Sequence, residues 1–227
     1  MVPVDQLVGM GFAVVQYHPR SHGRSEGQMS MYSAIRDLYY YLSELPTISI
    51  GHSGGCNALL QLSTKALNIV HYYLVQPVFD FRESMLYMYA NGIFEEFISA
   101  IERWTYDKSS LVSILEDGKW LNMQYWHTNK LRHKIDEISN NLYLGSFLED
   151  FYIPGYNTYP FINYSNDKST IYLSKNDKWF PTKSTERISR DLDIPMFVME
   201  NSENHFMTGC WDSIWENITK SLPPDLN

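Results

Sequence analysis

The sequence predicts an α/β domain built on a mostly parallel, doubly wound sheet. Three observations carry the prediction. Short β-rich runs alternate with helical stretches along much of the 227 residues, an order that puts helices on both faces of parallel strands. The runs containing Val14, Val15, Ile48 and Ile50 lack the polar alternation of an exposed edge, so they read as sheet interiors. One long segment, 79–165, breaks the rhythm and reads as a helical insertion within a single domain spanning 1–227.

The elements follow in order. Val4–Gly9 reads as the end of a helix. Phe12–Tyr17, entered through Gly11, is a strand candidate. Ser30–Leu45 reads as a helix, capped by Ser30 or Ser33, with Pro46 past its end. Thr47–Ile50 is a short buried strand, and Gly54–Ala66 a helix that begins directly after it. Ile69–Val75, Thr170–Leu173 and Pro195–Met199 are further strands, and 183–192 and 211–221 fill with helix. Between them, Ile93, Phe94, Phe97, Ile98, Ile101 and Trp104 recur at helical spacing, which marks a cap lying on one end of the sheet. Much of the tyrosine-rich aromatic excess falls in that cap. It is read mostly as the cap's own core, with part of it lining an apolar pocket.

Composition excludes several classes. The net charge of −8 is the wrong sign for a groove that neutralises phosphates, so no nucleic acid partner is expected. Cys56 and Cys210 make neither a disulfide framework nor a metal-binding spacing, and a reduced, cytoplasmic protein is the simpler reading. No run approaches a membrane span, and no secretory signal opens the chain. The Asn-X-Ser/Thr triplets at Asn163 and Asn217 are accordingly read as chance.

The chemistry centres on Gly51-His52-Ser53-Gly54-Gly55, a G-x-S-x-G pattern between a strand and a helix. That context is a nucleophile elbow: a sharp turn holds the serine in a strained backbone and presents its hydroxyl at the sheet edge. Small residues two before and two after are expected where strand and helix pass closely, and Gly51 and Gly55 supply them. The backbone N–H of Gly54, at a helix N-terminus, is the natural oxyanion donor. A serine hydroxyl needs a base, and His205 lies in the loop after the last strand. Such a loop base is expected to pack little. The orienting acid is Asp177, in the loop after Thr170–Leu173, with Asp80 in reserve. The chain order is Ser, Asp, His. His52 reads as packing or as a substrate-pocket wall, and Cys56 as a small core residue. His127 and His133 lack metal-like company.

These residues resemble the α/β-hydrolase superfamily. Gly11–Val15 followed by Arg20-Ser21-His22-Gly23-Arg24-Ser25-Glu26-Gly27 is similar to that family's strand and "RGHGRSEG" loop, with Ser21 where Gly is usual and His18 where Asp is usual. The branch most resembled is that of monoacylglycerol lipases and serine aminopeptidase-like hydrolases. The resemblance implies cleavage of an ester or related acyl bond through an acyl-enzyme, on a small, apolar substrate, with no metal and no cofactor. It leaves open an acyl-thioesterase or acyltransferase on the same Ser53, and a catalytically impaired remnant or binding protein. The family places a further strand between the segments corresponding to 12–17 and 47–50, and the loop after it donates the second oxyanion N–H. Neither is found in the residues before the Val4–Gly9 helix, so the fold is expected to be N-terminally truncated, with an unfilled slot between those two segments.

Overall fold

In the computed structural model the described residues are 4–20, 24–27, 31–42, 44–62, 68–79, 84, 168–177, 180–202 and 204–222. In chain order they form α1 (Val4–Gly9), α2 (Met31–Leu42), β1 (Thr47–His52), α3 (Gly54–Leu62), β2 (Ile69–Val75), β3 (Ser169–Ser174), α4 (Thr182–Asp191), β4 (Met196–Met199) and α5 (Trp211–Ser221). The strands make one parallel sheet in the order β1-β2-β3-β4. Asp80 and nearly all of the expected cap at 79–165 lie outside the described residues, as do His22, His127 and His133.

Strand periodicity sorts the core into two layers. Tyr72, Leu74, Ile171 and Leu173 face α2, α3 and α4, where they pack with Leu42, Leu59, Leu62 and Ile188. The alternate residues Tyr73, Val75 and Tyr172 face α1 and α5, where they meet Leu7, Ile214, Trp215 and Ile218. Successive side chains on a strand point to opposite faces, so strands covered by helices on both sides must be apolar at both parities. β3, buried at all six positions, satisfies that condition most fully.

The segment 12–17 is not a strand. Residues 12–19 have no regular structure, and no backbone hydrogen bond joins them to β1 among the described residues. Their burial still alternates: Phe12 and Val14 pack on the same cluster as Ile48 and Ile50, while Val15 is 68% exposed. The sequence pattern carries the side-chain period of a strand, but a strand also needs a partner for its N–H and C=O groups. β1, correspondingly, pairs only with β2 among the described residues, and Ile48 and Ile50 are half-buried rather than interior.

The loop after residue 19 is tied to α2. Arg20 donates from Nε and Nη2 to the two carboxylate oxygens of Asp37, at 2.8 and 2.7 Å. The guanidinium holds the Asp37 carboxyl below its usual range. Tyr17 lies close by, and burial, with the Asp37 charge adding to it, pushes its phenol up to about 12.

Candidate active site

In a parallel sheet every strand ends at the same edge, so loops distant in sequence meet there. Ser53 directly follows β1, Gln76 directly follows β2, Asp177 lies three residues past β3, and His205 lies in the loop after β4.

The turn at Ser53 is tight and strained. Its φ is +56°, a left-handed value that costs a non-glycine residue about 1 kcal/mol or more. Its N–H donates to the Val75 carbonyl at 3.0 Å, and its own carbonyl accepts from the N–H of Cys56 at 3.0 Å. The turn is therefore pinned to β2 on one side and to α3 on the other. A Cβ at Gly51 would stand 2.9 Å from Leu59 Cδ1 and 3.0 Å from the Cys56 backbone, so any larger residue there forces Leu59 or the α3 backbone to shift. Gly55 differs from expectation: a Cβ at that position would meet nothing within 4 Å, because the helix carries it away from the strand. Ser53 is half-buried, and its Oγ has no hydrogen-bond partner among the described residues.

Asp177 and His205 are joined. His205 Nδ1 lies 2.7 Å from Asp177 Oδ2, with both side chains almost fully buried. A carboxylate only accepts, so Nδ1 carries the hydrogen and Nε2 is left to act as a base. The same Oδ2 accepts from Gln76 Nε2 at 2.5 Å, and Oδ1 accepts from the N–H of Phe180 at 3.2 Å. Phe180 also packs on the imidazole, with ring centroids 4.4 Å apart. The expectation of a lightly packed loop base is thus corrected: His205 is 2% exposed.

The His205 loop is held by its own polar residues. Asn204 Oδ1 accepts from the N–H of Phe206 and the hydroxyl of Thr208, an arrangement that closes the turn. Asn176 donates to the Ser202 carbonyl, and Trp211 donates to the Phe206 carbonyl. His52 supplies a further tether: its Nε2–H donates to the His205 carbonyl at 2.9 Å. Burial lowers the His52 pKa below its ordinary value, outweighing that hydrogen bond, so the imidazole donates in its neutral form. Read from sequence as packing or pocket wall, His52 links the backbone beside Ser53 to the loop that carries His205.

Gln76 was not singled out from sequence. The available signal was a polar residue ending an apolar strand at the edge where the other candidates converge. Cys56 is fully buried, and that burial pushes its thiol well above the ordinary value, which makes it a core residue. No set of three or more His, Cys, Asp or Glu side chains among the described residues is grouped to hold a metal ion. No helix among them is long and apolar enough to cross a membrane.

No family model and no curated protein matches the chain. Solved structures do. A carboxylesterase structure from the ammonia-oxidizing thaumarchaeon Nitrososphaera gargenis aligns with a TM-score of 0.55 at 15% identity, over 96% of this chain and 82% of that one. An esterase from Exiguobacterium antarcticum aligns at 0.57 and 17%, with the same coverage of 96% and 82%. A thioesterase domain from the curacin biosynthetic pathway aligns at 0.53 and 14%, over 88% of this chain and 78% of that one. An alpha/beta fold family hydrolase from Bacillus anthracis aligns at 0.51 and 19%, over 90% and 80%. At these identities the likeness speaks to architecture alone, and the architecture of this chain is the α/β-hydrolase fold.

Proposed function

We propose that the protein is a serine hydrolase that cleaves a carboxylic ester or related acyl bond through an acyl-enzyme on Ser53. The observation that carries this reading is the buried Asp177–His205 pair at the sheet edge that also bears a strained serine on a strand–turn–helix. The esterase and thioesterase folds among the structural neighbours agree with it.

In this mechanism Asp177 fixes the tautomer and orientation of His205 and stabilises its cation. His205 Nε2 takes the proton of Ser53 Oγ as Oγ attacks the acyl carbon. The C–O double bond opens to an oxyanion, which the N–H of Gly54 receives at the start of α3, where the helix dipole is positive. Collapse expels the leaving group, which takes the proton from His205. Water, deprotonated by the same imidazole, then attacks the acyl carbon; the bond to Ser53 Oγ breaks, Oγ takes that proton back from His205, and the acid leaves. Ser53 Oγ makes no hydrogen bond to His205, and such contacts tighten when substrate binds. The substrate is a small ester with an apolar acyl group, in keeping with the aromatic sequence of 79–165.

The test is labelling with a fluorophosphonate probe, together with turnover of a short p-nitrophenyl ester. Ser53 is expected to carry the label, and Ser53→Ala is expected to lose both label and turnover. Turnover that persists in Ser53→Ala would remove this serine from the reaction.

A further inference from the structure

Four non-glycine residues among those described have positive φ: Ser53, Gln76, Asp193 and Met207. Two of them directly end strands at the candidate site, and only Ser53 has a role in the reaction described above. Gln76, at φ +49°, is the other.

Backbone strain at a non-glycine residue persists only where the surroundings hold it, and it concentrates at functional sites. At Gln76 the holding contacts are all present. Its N–H donates to the Tyr172 carbonyl at 2.8 Å, and the residue is 1% exposed. Oε1 accepts from the N–H of Ser174 at 2.6 Å, which fixes which end of the amide is the acceptor. Nε2 must then point the other way, and it donates to Asp177 Oδ2 at 2.5 Å. The amide thus spans from the last residue of β3 to the carboxylate three residues beyond it. The segment after Gln76 is anchored too: Asn57, on the helix after Ser53, donates to the Val78 carbonyl at 3.2 Å.

We infer that Gln76 is a positioning residue, whose amide locks the Asp177 carboxylate in the orientation that His205 requires. This rests on the serine-hydrolase reading of Ser53, Asp177 and His205. Oδ2 accepts from both Gln76 and His205, so any rotation of the carboxylate about its Cβ–Cγ bond breaks both contacts together. A glutamine suits the position because its two ends differ. One satisfies the buried Ser174 N–H, and the other presents a donor that stays neutral at every pH.

That neutrality supplies the test. Among the described residues, the titratable groups at this junction are Asp177 and His205, with His52 beyond them on the His205 carbonyl. In Gln76→Glu the new carboxyl donates to Asp177 only while protonated. Two carboxyls that share one proton titrate as a pair, and ionisation of the second turns the contact repulsive. The kcat/KM profile is therefore expected to approach wild type at the acid end and to gain a descending alkaline limb that wild type lacks. Gln76→Met, which has no donor at any pH, is expected to lower kcat about 10–100-fold at all pH values with KM unchanged. The low-field Nδ1–H resonance of His205 gives a readout free of turnover: present in wild type, pH-dependent in Gln76→Glu. If wild-type Ser53 takes no fluorophosphonate label, the hydrolase reading fails and this role fails with it. If Ser53 is labelled but neither the profile nor the resonance changes in Gln76→Glu, the Gln76 role alone is overturned. Loss of fold in both variants, seen by circular dichroism, would also overturn it, by making Gln76 a residue of the core.

Discussion

The two halves of the candidate site are built on opposite principles. On the Asp177–His205 side the side chains are held: Asp177 accepts from Gln76, Phe180 and His205, and His205 lies against Phe180 and His52 with its carbonyl tethered. On the Ser53 side it is the backbone that is held. The turn is strained and pinned by two backbone hydrogen bonds, while Oγ itself has no partner among the described residues. An acid–base pair must keep one tautomer and one orientation, so its side chains are locked. A nucleophile must move toward a carbon that arrives only with substrate, so its position is set and its hydroxyl left to rotate.

The largest expected effects test whether the two halves act as one unit. Ser53→Ala and His205→Ala should each reduce kcat by about 10⁴-fold or more, and the double variant should be scarcely worse than either. Their stabilities should diverge. Removing His205 takes one donor from the buried Asp177 carboxylate, a loss of about 1–3 kcal/mol in chemical unfolding, whereas Ser53→Ala removes no side-chain hydrogen bond. Equal stability of the two variants would break the comparison.

Asp177→Asn should follow, with a fall in kcat of up to about 10⁴-fold, because an amide that donates toward His205 selects the wrong tautomer. KM should be nearly unchanged. A larger loss from Asp80→Asn would move the acid to the loop after β2.

Smaller effects probe the elbow's backbone. Gly51→Ala must displace Leu59 or the α3 backbone, and should destabilise by about 1–3 kcal/mol. Gly55→Ala meets open space within a helix and should be neutral or stabilising by up to about 1 kcal/mol. A calorimetric scan of both separates them. Comparable losses at 51 and 55 would show that the helix passes the strand more closely than described.

The smallest effect concerns pH. Burial lowers the folded-state pKa of His52 below its ordinary value of 6.5, so the unfolded chain binds that proton more readily. Stability from this residue is therefore intact above the unfolded value and declines as pH falls below it, until the folded form also protonates. His52→Gln, which keeps an N–H donor, should flatten the unfolding free energy between about pH 7 and 5. An unchanged slope would place the titration elsewhere.

Much of this was legible in one dimension because the determining interactions are local. Apolar runs such as Ile69–Val75 announce buried strands, and the strand runs close to its expected bounds. Gly-x-Ser-x-Gly between a strand and a helix announces a tight turn, because a small residue such as Gly51 is needed where the helix passes the strand. The parallel sheet then carries the loops holding Ser53, Asp177 and His205 to one edge, whatever their separation along the chain. Other features depended on neighbours that sequence does not name. Phe12–Tyr17 has a strand's alternation but no ladder among the described residues, since pairing depends on what lies alongside. Gly55 looked constrained by its motif and is free by geometry. His52 and Gln76 gained their places from contacts with residues 153 and 101 positions away, and His205 its burial from packing on Phe180. The sequence by itself determined the alternation of elements and the edge at which the candidate side chains gather, because periodicity and turn chemistry act over a few residues. Only the tertiary structure decided which polar groups hold them there, because a hydrogen bond across the sheet edge depends on atoms brought together by the whole fold.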